Sequence, residues 1–138
     1  MKNDLHIPRE IVNQIIAQAN AAAPIEACGI LAGKDSHVQE IYPMTNVDKS
    51  NEHFMMKPEE QFDVARAIRA AKLEMLAIYH SHPNSPARPS KEDLRLALTP
   101  DVIHVIVSLE DSSNPVVKGF SIDANRFDEI PVLMMETI

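Results

Sequence analysis

Apolar and polar positions along this chain change period several times, and each change marks an element. From Pro8 to about Ala22, Ile11, Val12, Ile15, Ile16 and Ala19 recur at helical spacing, which predicts a helix with one buried stripe. Pro8 suits its first position and Pro24 ends it. Ile25 to Gly33 is apolar, too short for a typical helix, and bounded by a Lys-Asp turn, so it reads as a buried strand with Glu26 at its mouth. Val38 to Val47 reads as a second strand, placed at an edge by Pro43. Asp48 to His53 is polar and loop-like. Lys57-Pro58-Glu59-Glu60 then opens a second helix, with its carboxylates against the positive end of the helix dipole. Phe62, Ala65 and Ile68 are expected on its inner face, with Arg66 and Arg69 toward solvent.

The second half is richer in strands. Met75 to His82 predicts a strand, and Pro83 to Pro89, with its three prolines, can only be a loop. Ser90-Lys91-Glu92-Asp93 starts a third helix that continues through Leu94 to Leu98 and ends near Thr99-Pro100. Further strands are expected at Val102 to Leu109, Val116 to Ile122 and Ile130 to Met135, with a turn at Asp111 to Pro115. The fold class is therefore α/β (α+β): a single domain over residues 1–138, a mixed β-sheet flanked by helices.

Composition acts mainly by exclusion. A hydrophobic share of 45% and a charged share of 24% are those of a globular protein, and no apolar run is long enough to span a bilayer. The N-terminus lacks the apolar core of a signal peptide, so the cytoplasm is the expected compartment. A net charge of −7, with no basic cluster interleaved with aromatics, argues against nucleic acid and anionic membrane as partners. The single cysteine, Cys28, excludes an internal disulfide and a cysteine-rich zinc site, and its apolar surroundings make it a core residue.

Candidate chemistry is concentrated between Tyr79 and Asp93. Side chains of a strand alternate, so His80 and His82 project to one side and two imidazoles can converge on one ion. Asp93 lies in the first turn of the third helix and becomes a third ligand if the loop folds back. Two imidazoles, one carboxylate and an open position describe a catalytic rather than a structural zinc site. Blander readings stand beside this one. Ser90-x-x-Asp93 also resembles a helix capping box, and a His-x-His pair is often ordinary core or surface histidine. Two histidines and a carboxylate equally describe the facial triad of a non-haem Fe(II) oxygenase. His6, His37, His53 and His104 have no spacing relation to the pair and are expected to be structural or exposed.

Taken together, these residues resemble a known signature. His80-Ser81-His82-Pro83, the run to Pro89, Ser90-x-x-Asp93, and Glu26 within Pro24-x-Glu26-x-Cys28-Gly29-x-Leu31-x-Gly33 look like the motif of the JAMM (MPN-plus) zinc metalloproteases. The likeness extends to Phe54-x-x-Lys57-Pro58-Glu59 and to Val105-Ile106-Val107-Ser108, and so covers nearly the whole chain. It implies a fold similar to that of cytidine deaminases, whose own His-x-Glu and Pro-Cys-x-x-Cys ligands are missing here, which disfavours deamination.

The resemblance implies that His80, His82 and Asp93 hold one Zn²⁺, that a zinc-activated water is the nucleophile, and that Glu26 takes its proton and passes it to the leaving amine. It gives Ser90 a hydrogen bond to the developing oxyanion, compatible with a capping role. With little room for an inserted substrate grip between Asp93 and the next strand, the chain is similar to compact bacterial members. Those act at the C-terminal tail of ubiquitin-like sulfur-carrier proteins, so the expected partner is such a carrier or its amino-acid adduct. The alternatives are a deubiquitinase-like isopeptidase on another protein conjugate and a non-catalytic MPN scaffold. A homodimer is among the assemblies the sequence permits.

Overall fold

In the computed structural model, which describes residues 4–96 and 101–136, the elements are β1 (Leu5–Pro8), α1 (Arg9–Ala22), β2 (Cys28–Lys34), β3 (His37–Met44), α2 (Pro58–Ala70), β4 (Glu74–His82), α3 (Lys91–Leu96), β5 (Ile103–Ser108), β6 (Val116–Asp123), β7 (Arg126–Ile130) and β8 (Val132–Met135). The strands form one mixed sheet in the order β7-β6-β5-β4-β2-β3-β1-β8. Among the described residues no helix is long and apolar enough to cross a membrane.

The central strands are covered on both sides, which is why β2 and β5 read as continuous apolar runs. The stripe Ile11, Val12, Ile15 and Ala19 of α1 packs on one face with Leu31, Ala77, Tyr79, Val105 and Val107. Val64 and Ile68 of α2 pack on the other with Cys28, Ile30 and Ala32. Strand alternation thus sends Leu31 to one core and its neighbours Ile30 and Ala32 to the other.

Order and register decide what meets at the sheet's functional end. A two-residue turn, Asp35 and Ser36, both at positive φ (52° and 65°), joins β2 to β3. β4 pairs antiparallel with β2, Cys28 opposite His80, and parallel with β5, His82 opposite Ser108. Gly29 faces Tyr79 so closely that a Cβ there would stand 2.2 Å from the ring. Only Pro131 separates β7 from β8, although the sheet order places them at opposite ends. The sheet therefore curls until its two edges meet at Pro131, whose carbonyl accepts from Leu5 N. Gly119 allows the close approach, since a Cβ there would meet Val132 Cγ2 at 2.8 Å.

Several expectations need correction. β3 is not an edge strand but lies between β2 and β1. Pro43 is tolerated because it pairs with Gly29 of β2, whereas β1 joins β3 at the opposite end, His6 opposite His37. The inner face of α2 is Val64 and Ile68; Phe62 is 73% exposed and Ala65 is exposed. Glu60 lies on that same face, accepting from Thr45 N and Oγ1 at 2.7 and 2.8 Å, and the residues four and eight further on, Val64 and Ile68, pack into the core. The short strands β1 and β7 are additional, and the expected final strand, Ile130 to Met135, is β8 from Val132 onward. The expected end of the third helix, Ala97 to Pro100, lies outside the described residues. Cys28 is a buried free thiol whose pKa burial pushes up to about 12, in keeping with a core role.

Candidate metal centre

At the C-terminal end of β4 the side chains of His80 and His82 emerge on one face, as their spacing requires, and both are fully buried. The chain then turns back over the sheet, held at three points. His82 Nδ1 donates to Pro86 O at 2.8 Å, Ser108 Oγ donates to Ser85 O at 2.6 Å, and Ala87 is buried with Ile106, Phe120 and Ile122. This anchored loop delivers Ser90 and α3. Ser90 N donates to Asp93 Oδ2 (2.9 Å) and Asp93 N donates to Ser90 Oγ (3.0 Å), a reciprocal cap with aspartate in the usual glutamate position. Capping and metal ligation are therefore not rivals: the cap is what orients the carboxylate.

His80 Nε2 lies 3.1 Å from His82 Nε2 and 3.1 Å from Asp93 Oδ1, and His82 Nε2 lies 3.0 Å from Asp93 Oδ2. Three buried residues thus converge, each histidine nearest a different carboxylate oxygen, with one ligand atom from each residue within 4.8 Å of the others. With donors at about 2.0–2.1 Å from a tetrahedral ion, neighbouring donors stand ~3.3 Å apart. The observed separations are within a few tenths of that edge. With Nδ1 donating to a carbonyl, the neutral form of His82 has its Nε2 lone pair toward the centre, which is how an outer hydrogen bond fixes a ligating tautomer. The donor set fits a divalent metal ion.

Glu26 reaches the same place from the segment that leads into β2, two residues before its first residue. Extending the register in which Cys28 faces His80 sets Ala27 opposite Ser81 and Glu26 opposite His82. Ser81 N donates to Ala27 O at 3.0 Å, and Ala27 N donates to Ser81 Oγ at 2.8 Å. The serine of His-Ser-His, to which the sequence assigned no step, thus fastens the peptide beside the glutamate. Glu26 is 3% exposed, and its Oε1 is buried without a hydrogen-bond partner, as is His80 Nδ1. Burial raises the Glu26 carboxyl to about 8, against the lowering influence of His82. Burial also penalises the Asp93 carboxylate, yet hydrogen bonds from both histidines outweigh it and hold Asp93 far below the usual carboxylate range. For His82, burial opposes the charge but bonds to Asp93 and the Pro86 carbonyl prevail, and its pKa is raised. Two carboxyl groups at one site are pushed in opposite directions, the pattern of a proton carrier beside a fixed anion.

An open cleft of about 430 Å³ adjoins the centre, lined among others by Glu26, Asn51, Glu52, His82, Ser90 and Lys91. Ser90 Oγ already accepts from Asp93 N, and its own hydrogen remains to donate into the cleft. Two contributors escaped sequence reasoning. Phe54 stacks on His80, ring centroids 4.7 Å apart, and Asn46 donates to Glu26 O at 3.1 Å. Phe54 stood in a matched motif without a role, and no local pattern marked Asn46. Of the other histidines, His6 and His37 stack on adjacent strands, His53 pairs with Asp48, and His104 is buried in β5, none of them within the donor cluster.

Comparison with known proteins is consistent with this geometry. A family described as prokaryotic homologs of the JAB domain matches residues 8–122. A Mycobacterium tuberculosis protein named CysO-cysteine peptidase is 35% identical over 134 residues, 96% of this chain and 92% of its own length. A Thermus thermophilus protein named as a probable TtuB-protein conjugate cleaving protease is 34% identical over 67% of this chain and 63% of its own. Among solved structures, a Desulfitobacterium hafniense protein superimposes with a TM-score of 0.88 at 38% identity, covering 97% of this chain and 94% of that one.

Proposed function

The chain belongs to the family of prokaryotic JAB-domain homologs, and on that premise we propose that it is a zinc peptidase acting at the C-terminal tail of a ubiquitin-like sulfur-carrier protein, with residues 1–138 as one catalytic domain. The observation that carries the reading is the convergence of His80, His82 and Asp93 beside a buried, unpaired Glu26 carboxyl at an open cleft.

His80, His82 and Asp93 are the proposed ligands of one Zn²⁺. When bound, the ion supplies a Lewis acid that lowers the pKa of water toward neutrality and polarises a carbonyl. Glu26 is the proposed proton carrier. A buried carboxyl beside the metal ligands is the kind of group that can take a proton from water and return it to a departing amine. Oε1, free of protein partners, is the atom placed to do so. The Ser90 hydroxyl is the proposed donor to the oxyanion that develops on the attacked carbonyl. Ser81 holds the Glu26 segment and touches no reacting atom.

The carrier reading rests on the likeness to a CysO-cysteine peptidase over nearly both full lengths. A carrier joined through its tail to an amino acid such as cysteine is the favoured substrate. The second reading, cleavage of a carrier from another protein, is supported by the likeness to a conjugate-cleaving protease. Metal-loaded protein is incubated with carrier–amino acid adducts and, separately, with carrier–protein conjugates, and the products are weighed by mass spectrometry. Release of the amino acid supports the first reading, and release from protein conjugates alone supports the second. No turnover of either by protein holding one zinc per chain sinks the substrate class.

A further inference from the structure

The segment from Thr45 to Lys57 leaves β3 and returns to α2 as a closed loop. Asn46 and Met56 form an antiparallel bridge at its base, Val47 N donates to Met55 O, and Lys57 N donates to Thr45 O. Its tip makes part of the cleft through Asn51 and Glu52. The same loop takes hold of Glu26: Glu26 N donates to Ser50 O at 2.8 Å, and Asn46 Nδ2 donates to Glu26 O at 3.1 Å.

Asn46 is only 7% exposed and all its hydrogen-bonding capacity is in use. Nδ2 donates to two carbonyls, Glu26 O and His53 O, while Oδ1 accepts from two amides, Asp48 N and Met55 N, each bond 3.1 Å long. Two acceptors on one side and two donors on the other fix the orientation of the amide and the residue type together. Aspartate can keep the two bonds at Oδ1 but turns the other two into repulsion; glutamine is too long; serine has one donor and cannot serve both carbonyls.

We propose that Asn46 is a positioning residue that ties the backbone of Glu26 to the cleft-lining loop 47–55, so that the wall contacted by substrate and the proton carrier are held as one unit. It rests on the role of Glu26 proposed above. The Glu26–Ala27 peptide is then clamped at both ends, Ala27 N by Ser81 Oγ of β4 and Glu26 O by Asn46 Nδ2, and the loop also holds Glu26 N through Ser50 O. The Ser81 clamp is part of the sheet. The Asn46 clamp joins the sheet to a loop that substrate can press on, and a base misplaced by about 1 Å is enough to cost on the order of 10²-fold in rate.

Asn46→Asp weights the test toward this role, because it keeps the bonds from Asp48 N and Met55 N that shape the loop and removes the one that reaches outward to Glu26 O, together with a single bond inside the loop, to His53 O. The full chain is measured for zinc content, for kcat on whichever carrier adduct the unmodified protein cleaves, and for amide hydrogen exchange by NMR. We expect one zinc per chain, a kcat lower by about tenfold or more, and exchange at the Glu26 amide, which the same loop holds through Ser50 O, faster by about tenfold while that of Ser81, donated to Ala27 O, is unchanged. A smaller loss of kcat, loss of zinc, or an unchanged Glu26 amide overturns the proposal. If Asn46→Asp does not fold, Asn46→Ser, neutral and smaller, is read in the same way. The exchange measurement needs no turnover, so failure of the carrier reading and failure of the Asn46 tie are told apart.

Discussion

The two faces of β4 differ in how fully their polar groups are satisfied. On the α1 side, Tyr79 is completely buried over Gly29, its hydroxyl donates to Gln18 Oε1, Gln18 Nε2 donates to Cys28 O, and Ser81 exchanges two bonds with Ala27. On the opposite side, His80 and His82 point their Nε2 atoms at one another and at Asp93, while Glu26 Oε1 and His80 Nδ1 are buried without partners. Buried polar groups left unpaired are costly and therefore rare. One face is closed by the protein's own hydrogen bonds; the other is arranged for something the chain does not contain. The closed face makes the open one tolerable, because it fixes the backbone from which every site residue projects.

The difference is broken most severely by removing a ligand. His82→Ala is expected to lower bound metal from one per chain to none, read by atomic absorption, and with it all measurable peptidase activity. Glu26→Gln is the next largest and separates binding from chemistry: metal content stays at one per chain while kcat falls by about 10²–10⁴-fold. Full activity in that variant would refute the proton-carrier assignment.

Gly29→Ala attacks the closed face instead. The added methyl has no room against the Tyr79 ring, and overpacking of this kind costs about 1–3 kcal/mol. A lower thermal midpoint with metal content preserved is the expected result; an unchanged midpoint would mean that the face is less tightly closed than described.

The smallest effect concerns pH in metal-stripped protein. Glu26 has a folded pKa of about 8, against 4.5 for the free group. Its contribution is thus fully present below about pH 4.5 and is lost as pH rises through 8. Glutamine in its place does not titrate. In chelator, the stability of Glu26→Gln relative to the unmodified protein should therefore increase by about 1 kcal/mol or more from pH 5 to pH 8, measured by urea unfolding. A flat difference would show that Glu26 is solvated when the metal is gone.

Legibility followed the range of the interaction. The stripe of α1, the strand ending in His80 and His82, and the cap at Ser90 and Asp93 were all readable, since each depends on spacing within a turn or two of chain. The rotation of α2 was misread because Phe62 looks like a core residue. The face that packs on β2 is instead the one carrying Val64 and Ile68, with Glu60 on the same face bonded to Thr45. The edge placement of β3 failed similarly: Pro43 does exclude a second partner at its own position, but β1 joins the strand elsewhere.

The sequence by itself therefore determined that two imidazoles share a face and that a capped helix carries a carboxylate shortly after them, because backbone geometry fixes where near neighbours point. It also carried a resemblance strong enough to name Glu26. Only the tertiary structure decided how Glu26 comes to stand there. The antiparallel register of β2 on β4, with Cys28 opposite His80, leads the segment before β2 toward the histidines, Ser81 fastens one side of its Glu26–Ala27 peptide, and Asn46 binds the other to the loop lining the cleft. Register and loop closure are settled by which distant surfaces are buried together and which buried amides find partners, and neither is written in any short stretch of chain.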